Sequence, residues 1–175
     1  MFLIYITFGK LVIALIGVIS IFGISILTTQ VLGTKFTATL SGDQVAPPTD
    51  TSINGTASFR TTAYDSVIKY KIKIGGSSDV SSAEIHLGKK GENGETVVDL
   101  LKDSKKNGIR LETSIRGNIT SSELQGSLKG KLLVDLISAM KKGNAYVNIG
   151  TPYHDNAEMR GQILIVSNHN STKVK

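Results

Sequence analysis

Cysteine and tryptophan are absent from the 175 residues, proline and histidine occur three times each, and aromatic side chains amount to 6%. Without cysteine there is no disulfide framework, no thiolate-bound zinc or iron-sulfur cluster and no thiol nucleophile. Three histidines are too few for a two-metal centre of the copper-zinc dismutase kind, which takes about six imidazoles. Charge is also missing from one end: residues 1–33 contain Lys10 and no other charged side chain. The other 19 Lys and Arg and all 14 acids therefore fall in residues 34–175, and the whole chain carries a formal net charge of +6. Such a length makes about one domain. A domain of about 140 residues buries roughly two thirds of the surface its unfolded chain exposes, so packing alone can hold it and the lack of disulfides is no argument against export.

The uncharged run Leu11–Leu27 is too apolar for a soluble core helix. As a helix its residues reach roughly 25 Å, and with Phe2–Gly9 added they exceed a hydrocarbon core of about 30 Å. Two readings follow. Residues 2–27 are an N-terminal hydrophobic helix that stays in the membrane, or the segment is a secretory signal cut near Gly33, ahead of Thr34. Both put residues 34–175 outside the cytoplasm; Lys10 and Lys35 give almost no charge asymmetry with which to orient the segment.

Beyond residue 33 the apolar period becomes two, the mark of strands with one buried face. Phe36–Leu40, Val67–Ile74 and Val80–Leu87 alternate, and Thr56–Thr62, Thr96–Leu101, Ile109–Ile119, Ala145–Ile149 and Met159–Val166 complete about eight strand candidates. Turn signals separate them at sandwich spacing: Pro47-Pro48, Asn54-Gly55, Gly75-Gly76, Asn107-Gly108 and Gly143-Asn144. Lys131–Lys142 differs, with Leu132, Leu133, Leu136, Ile137 and Met140 at helical spacing and Lys141-Lys142-Gly143 as a stop. The expectation is an all-β Greek-key sandwich over 34–166 with one short helix, followed by a polar tail over 167–175.

Alternation places Lys69, Lys71 and Lys73 on one strand face, read as a solvated surface that also discourages edge pairing. Nucleic acid is disfavoured because the net charge is modest, the compartment is wrong and no aromatic side chain shares the lysine face, Tyr70 falling on the opposite one. There is no Gly-rich phosphate loop and no Gly-x-Ser-x-Gly elbow. The carboxylate pairs Glu92/Glu95 and Asp99/Asp103 sit beside glycines or lysines and read as solvated loops. Glu84 and His86 share a strand face at roughly 7 Å spacing, so an oxygen and an imidazole can hold one cation. A third ligand would come from His154, Asp155 or Glu158; His169 lies in the tail. Sequons occur at Asn54, Asn118 and Asn170, no more than composition supplies.

Three blocks together give a family resemblance: Phe36–Thr49 with Gly55–Phe59, Ala83–Gly88 with Gly91–Gly94, and Gly143–Thr151 with Glu158–Ile163. In them the chain resembles the chordin-type domain called CHRD, found as single exported domains in microbes. The resemblance implies an immunoglobulin-like or superoxide-dismutase-like sandwich of unknown biochemical role. The family pattern usually has histidines where this chain has Glu84 and Gly150, and of the three pattern histidines only His86 stands here. Growth-factor capture by chordin is credited to cysteine-rich modules and does not carry over. Asn148, Thr151, Glu158 and Arg160 form the family-typical polar cluster. Glu158 and Arg160 share a strand face, so Arg160 pairs with Glu158 or holds the loop opening at Thr151-Pro152, while Asn148 and Thr151 stabilise turns. The reading is a non-enzymatic surface module whose partner is an unknown cell-surface protein or polysaccharide, with no cofactor. The alternative is a divalent-metal protein or enzyme using Glu84, His86 and His154.

Overall fold

The structure is a computed structural model that describes residues 33–75, 80–102 and 114–167. The N-terminal apolar segment, Asp103, the start of the Ile109–Ile119 strand candidate, His169 and Asn170 lie outside the described residues. Among the described residues, no helix is long and apolar enough to cross a membrane.

Among the described residues, two antiparallel sheets and one α-helix make up the fold. The first sheet runs β6 (Ser114–Ile119), β3 (Ile68–Ile74), β2 (Gly55–Thr61), β1 (Lys35–Leu40) and β9 (Leu164–Ile165). The second runs β5 (Thr96–Asp99), β4 (Ser82–Leu87), β7 (Ala145–Thr151) and β8 (His154–Gln162). The alternation seen in the sequence explains the core between them. Phe36, Ala38 and Leu40 of β1 point inward with Ala57 and Phe59 of β2 and Ile68, Tyr70 and Ile72 of β3. Ala83 and Ile85 of β4 meet Val147 and Ile149 of β7 in register. Inside this core, the Tyr70 hydroxyl donates to Leu100 O at 2.6 Å. Its ring fills the space beside Gly117, where any Cβ would collide with the phenol.

The helix α1 (Leu133–Lys141) buries Leu133, Leu136, Ile137 and Met140. It ends on Gly143 at φ +67, with Gly143 N donating to Met140 O and Asn144 N to Ala139 O, a paired closure that satisfies its last carbonyls. Leu132 departs from the helical stripe. It caps the helix from outside, its N–H donating to Asp135 Oδ2 at 3.1 Å, and remains 69% exposed.

Two strand expectations need correction. Met159–Val166 is not one strand, because the chain leaves the second sheet after Gln162 and joins the first at Leu164. Ile163, fully buried, marks the crossing, and its N–H donates to Ala145 O at 3.0 Å. Nor are the β3 lysines edge protectors, since β3 lies between β2 and β6 in the interior of its sheet.

Candidate functional site

The outward face of the second sheet carries the polar chemistry. Antiparallel register puts Asp99, Glu84, Asn148 and Arg160 in one row across β5, β4, β7 and β8. The next row places His86 opposite Tyr146 and Tyr146 opposite Gln162. Two loops roof this face: residues 41–50 after β1 and residues 88–95 after β4. Beneath them lies a cavity of about 810 Å³ lined by Val45–Asp50, His86, Asn93, Gly94, Tyr146, Asn148, Tyr153, His154, Ala157 and Arg160.

Arg160 fixes one roof. It is 2% exposed, and Nη2 donates to Lys89 O at 2.9 Å and Glu92 O at 2.8 Å, while Nη1 donates to Asn93 Oδ1 at 3.2 Å. The guanidinium lies 3.5 Å from the Tyr146 ring centroid, a cation-π contact. Burial pulls its pKa below the usual arginine value, and the neighbouring Tyr146 opposes that shift. Asn93 Nδ2 donates to Ala46 O at 2.7 Å, so the two loops are bonded to each other. The 41–50 loop is also stitched to β8, by a Ser41–Arg160 bridge and by Thr49 Oγ1 donating to Ala157 O at 3.1 Å.

The cavity floor is an aromatic stack: the His86 and Tyr146 rings lie 5.1 Å apart at 13°. His86 Nδ1 meets Gly94 O at 3.0 Å, and because a carbonyl can only accept, Nδ1 carries the proton. Nε2 stands 3.1 Å from Glu84 Oε2 and 3.4 Å from Thr96 Oγ1. Gly94 N donates to the Tyr146 hydroxyl at 3.0 Å. Gln162 Nε2 reaches Gly143 O at 2.7 Å and Gly88 O at 3.0 Å, tying β8 to both neighbouring turns. At the far rim of the 88–95 loop, hydrogen bonds from the Ser127 side chain and backbone hold the Glu95 carboxyl below the usual carboxylate range.

Placed against the sequence reading, Glu84 and His86 come together and His154 does not join them. His154 Nε2 is 3.8 Å from Glu158 Oε2, which also accepts from Thr151 Oγ1 at 2.9 Å. Among the described residues, no group of three His, Asp or Glu is arranged to hold a metal ion. Arg160 holds neither Glu158 nor the loop opening at Thr151-Pro152; its side chain crosses β7 over Tyr146 and reaches the 88–95 loop. Thr151 accepts from Tyr153 N at 3.3 Å in the β7–β8 turn, whereas Asn148 stands in mid-strand. Glu92, Glu95 and Asp99 each accept a backbone N–H, from Lys89, Ser127 and Leu101. Of the sequons, Asn54 is exposed before β2 and Asn118 is exposed on β6. Sequence reasoning missed Tyr146 and Asn93. The alternation of β7 puts Tyr146 on the face of Asn148, but its place beside His86 depends on register.

All three blocks that carried the resemblance contribute cavity walls: Val45–Pro48 from the first, His86, Asn93 and Gly94 from the second, Tyr146, Asn148 and Arg160 from the third. The model of the CHRD domain matches residues 36–163. The chain belongs to the CHRD domain family. Neither the curated proteins nor the solved structures compared with it match the chain. In this CHRD domain, position 150 lies on the same outward face as Glu84 and His86 but is glycine, paired with Ser82.

Proposed function

We propose that this CHRD domain is a non-enzymatic extracytoplasmic binding or structural module at the cell surface. It is a Greek-key, immunoglobulin-like or superoxide-dismutase-like sandwich, tethered through residues 2–27 or released by cleavage near Gly33. The state of the cavity carries this reading. Arg160, His86 and Tyr146, the groups with catalytic potential, are each engaged by the protein's own backbone and hold the roof in shape. What remains at the lining for a ligand includes the exposed Asp50, the exposed Tyr153 ring, the exposed His154 imidazole and Asn148 Oδ1, a buried oxygen with no hydrogen-bond partner in the protein. Rigid walls with a few polar positions suit recognition better than bond breaking.

Export is tested on intact cells with a membrane-impermeant amine-reactive label, for which the exposed lysines are targets. The expected result is labelling of the cell-bound chain before lysis to the same extent as after it, or recovery of the cleaved 34–175 fragment from the medium. Labelling that begins only on lysis contradicts the reading.

One observation favours a second reading, divalent-metal binding through Glu84, His86 and His154. The Gly94 carbonyl fixes a proton on Nδ1, and Nε2 faces Glu84 Oε2 at 3.1 Å, so a cation would take the place of the proton shared between those two atoms. His154 lines the same cavity and would have to leave Glu158 to become a third ligand.

A further inference from the structure

The outward face of the first sheet lies on the opposite side of the sandwich from the cavity, and its composition is unusual. Twelve positions on β1, β2, β3 and β6 point outward. Six of them are Lys35, Arg60, Lys69, Lys71, Lys73 and Arg116. The other six are Ser, Thr or Asn, so none is acidic, aromatic or aliphatic. Among the described residues, the other eight Lys and Arg are outnumbered by the acids, so the positive excess of the described part is gathered on this face.

Neither folding nor edge protection explains the gathering. Register sets Lys35 opposite Arg60, Arg60 opposite Lys69, and Lys71 opposite Arg116. Like charges directly opposite one another destabilise a sheet. Arg116, with burial and Lys73 behind it, lowers the Lys71 pKa, as expected where positive charge is crowded. The strand with three of the cations is interior to its sheet, so edge pairing is not at issue. A cost in stability that the fold does not need suggests a binding role.

The spacing describes the partner. The row Lys35, Arg60, Lys69 steps across strands at about 5 Å, and Lys69, Lys71, Lys73 step along β3 at about 7 Å, giving two crossing lines of charge. A shallow groove of about 480 Å³ follows the first line, between Lys35, Arg60, Lys69 and Lys71. Hydroxyls of Thr37 and Ser58 stand between the cations; they donate to Ala57 O and Lys71 O, which leaves their oxygens to accept from a hydroxyl-bearing polymer. The twelve outward positions give bases no aromatic ring to stack on, and the exposed Tyr64 stands apart on the β2–β3 turn. Apolar side chains for insertion into lipid enter only at the β9 rim, at Leu164 and Val166.

We propose that the outer face of the β6-β3-β2-β1-β9 sheet docks a linear anionic polysaccharide. Only the choice of a glycan rests on the extracytoplasmic reading, and the contact itself is independent of the cavity. The probe is dextran sulfate, with neutral dextran as control, and the protein is the full chain in non-ionic detergent. Wild type binds dextran sulfate and not dextran, with log K falling against log salt at a slope of about −4 for six contacts. Lys69→Gln/Lys71→Gln/Lys73→Gln weakens binding at least about tenfold and halves the slope, and Arg116→Gln alone reduces the slope by about 0.7. Both variants melt at or above the wild-type temperature because repulsion is relieved. Lys129→Gln/Lys141→Gln/Lys142→Gln removes the same charge from elsewhere and binds as wild type does.

A wild-type slope near zero, equal binding by the β3 triple variant, or equal loss in the control triple variant overturns the proposal. Two further results do so: tighter binding to single-stranded DNA than to dextran sulfate, and a preference for phosphatidylglycerol over phosphatidylcholine vesicles that the β3 variant loses while dextran sulfate binding is absent. Failure here with successful surface labelling leaves the extracytoplasmic reading standing. Binding in vitro without surface labelling removes that reading alone.

Discussion

Arg160→Met is expected to lower the unfolding free energy by about 2 kcal/mol, the cost of leaving partly buried acceptors without a charged donor. Three acceptors lose their partner at once: Lys89 O, Glu92 O and Asn93 Oδ1. Water cannot replace the guanidinium easily, because the side chain is 2% exposed and lies on the Tyr146 ring. The damage is local in origin. Asn93 then holds Ala46 without being held itself, so the two loops over the cavity loosen together. Urea unfolding measures the loss as a lower midpoint at unchanged slope, and amide exchange locates it in residues 88–95. Arg160→Lys is expected to recover less than half, since an ammonium keeps the charge but not the planar fork that serves two carbonyls together. Equal stability of wild type and Arg160→Lys would mean that charge alone, not the fork, supports the roof.

The second large effect is expected at Gly94. A Cβ there would strike the Leu87 carbonyl at the end of β4, a backbone group that cannot swing aside. Gly94→Ala therefore pushes the loop away from the strand, at a cost of about 2–3 kcal/mol by comparison with other overpacked sites. The same displacement draws Gly94 O away from His86 Nδ1 and Gly94 N away from the Tyr146 hydroxyl, both now at 3.0 Å. A changed His86 ring signal in NMR accompanies the loss of stability. Gly91→Ala is the control. It has open space around the added methyl group but sits at φ +82, so backbone strain of about 1–2 kcal/mol is all it meets. A Gly94→Ala protein no less stable than Gly91→Ala contradicts the tight seating of the loop on β4.

These two residues show where sequence reading stops. Strand alternation is a local property, so Ile68, Tyr70 and Ile72 reveal the inward face of β3 without knowledge of the fold, and the period change at Lys131–Lys142 reveals the helix in the same way. Register is not local. Nothing between residues 86 and 146 states that His86 stacks on Tyr146, and the guanidinium of Arg160 bonds a carbonyl 71 positions earlier in the chain. Two local inferences failed for the same reason. Leu132 continues the helical stripe in sequence but stays outside because Asp135 draws its N–H into the cap. The apolar run through Ile163 conceals a change of sheet, since Ile163 is buried where the chain crosses over. The candidate site was legible as residue types and partly as faces. The Glu84–His86 and His154–Glu158 pairs are each local to one strand, and only the failure of His154 to join His86 comes from the fold.

On the proposed reading, His86 and Glu84 frame a binding cavity and do not form a metal centre. Plasma mass spectrometry tests it on the full chain, purified without a metal-binding tag and then offered copper, zinc, manganese and calcium before desalting. The account predicts that no metal is retained in stoichiometric amount, and that His86→Ala lowers the melting temperature through loss of the Gly94 bond and the Tyr146 stack. One equivalent of a metal, retained by the wild type and lost in His86→Ala, would contradict it.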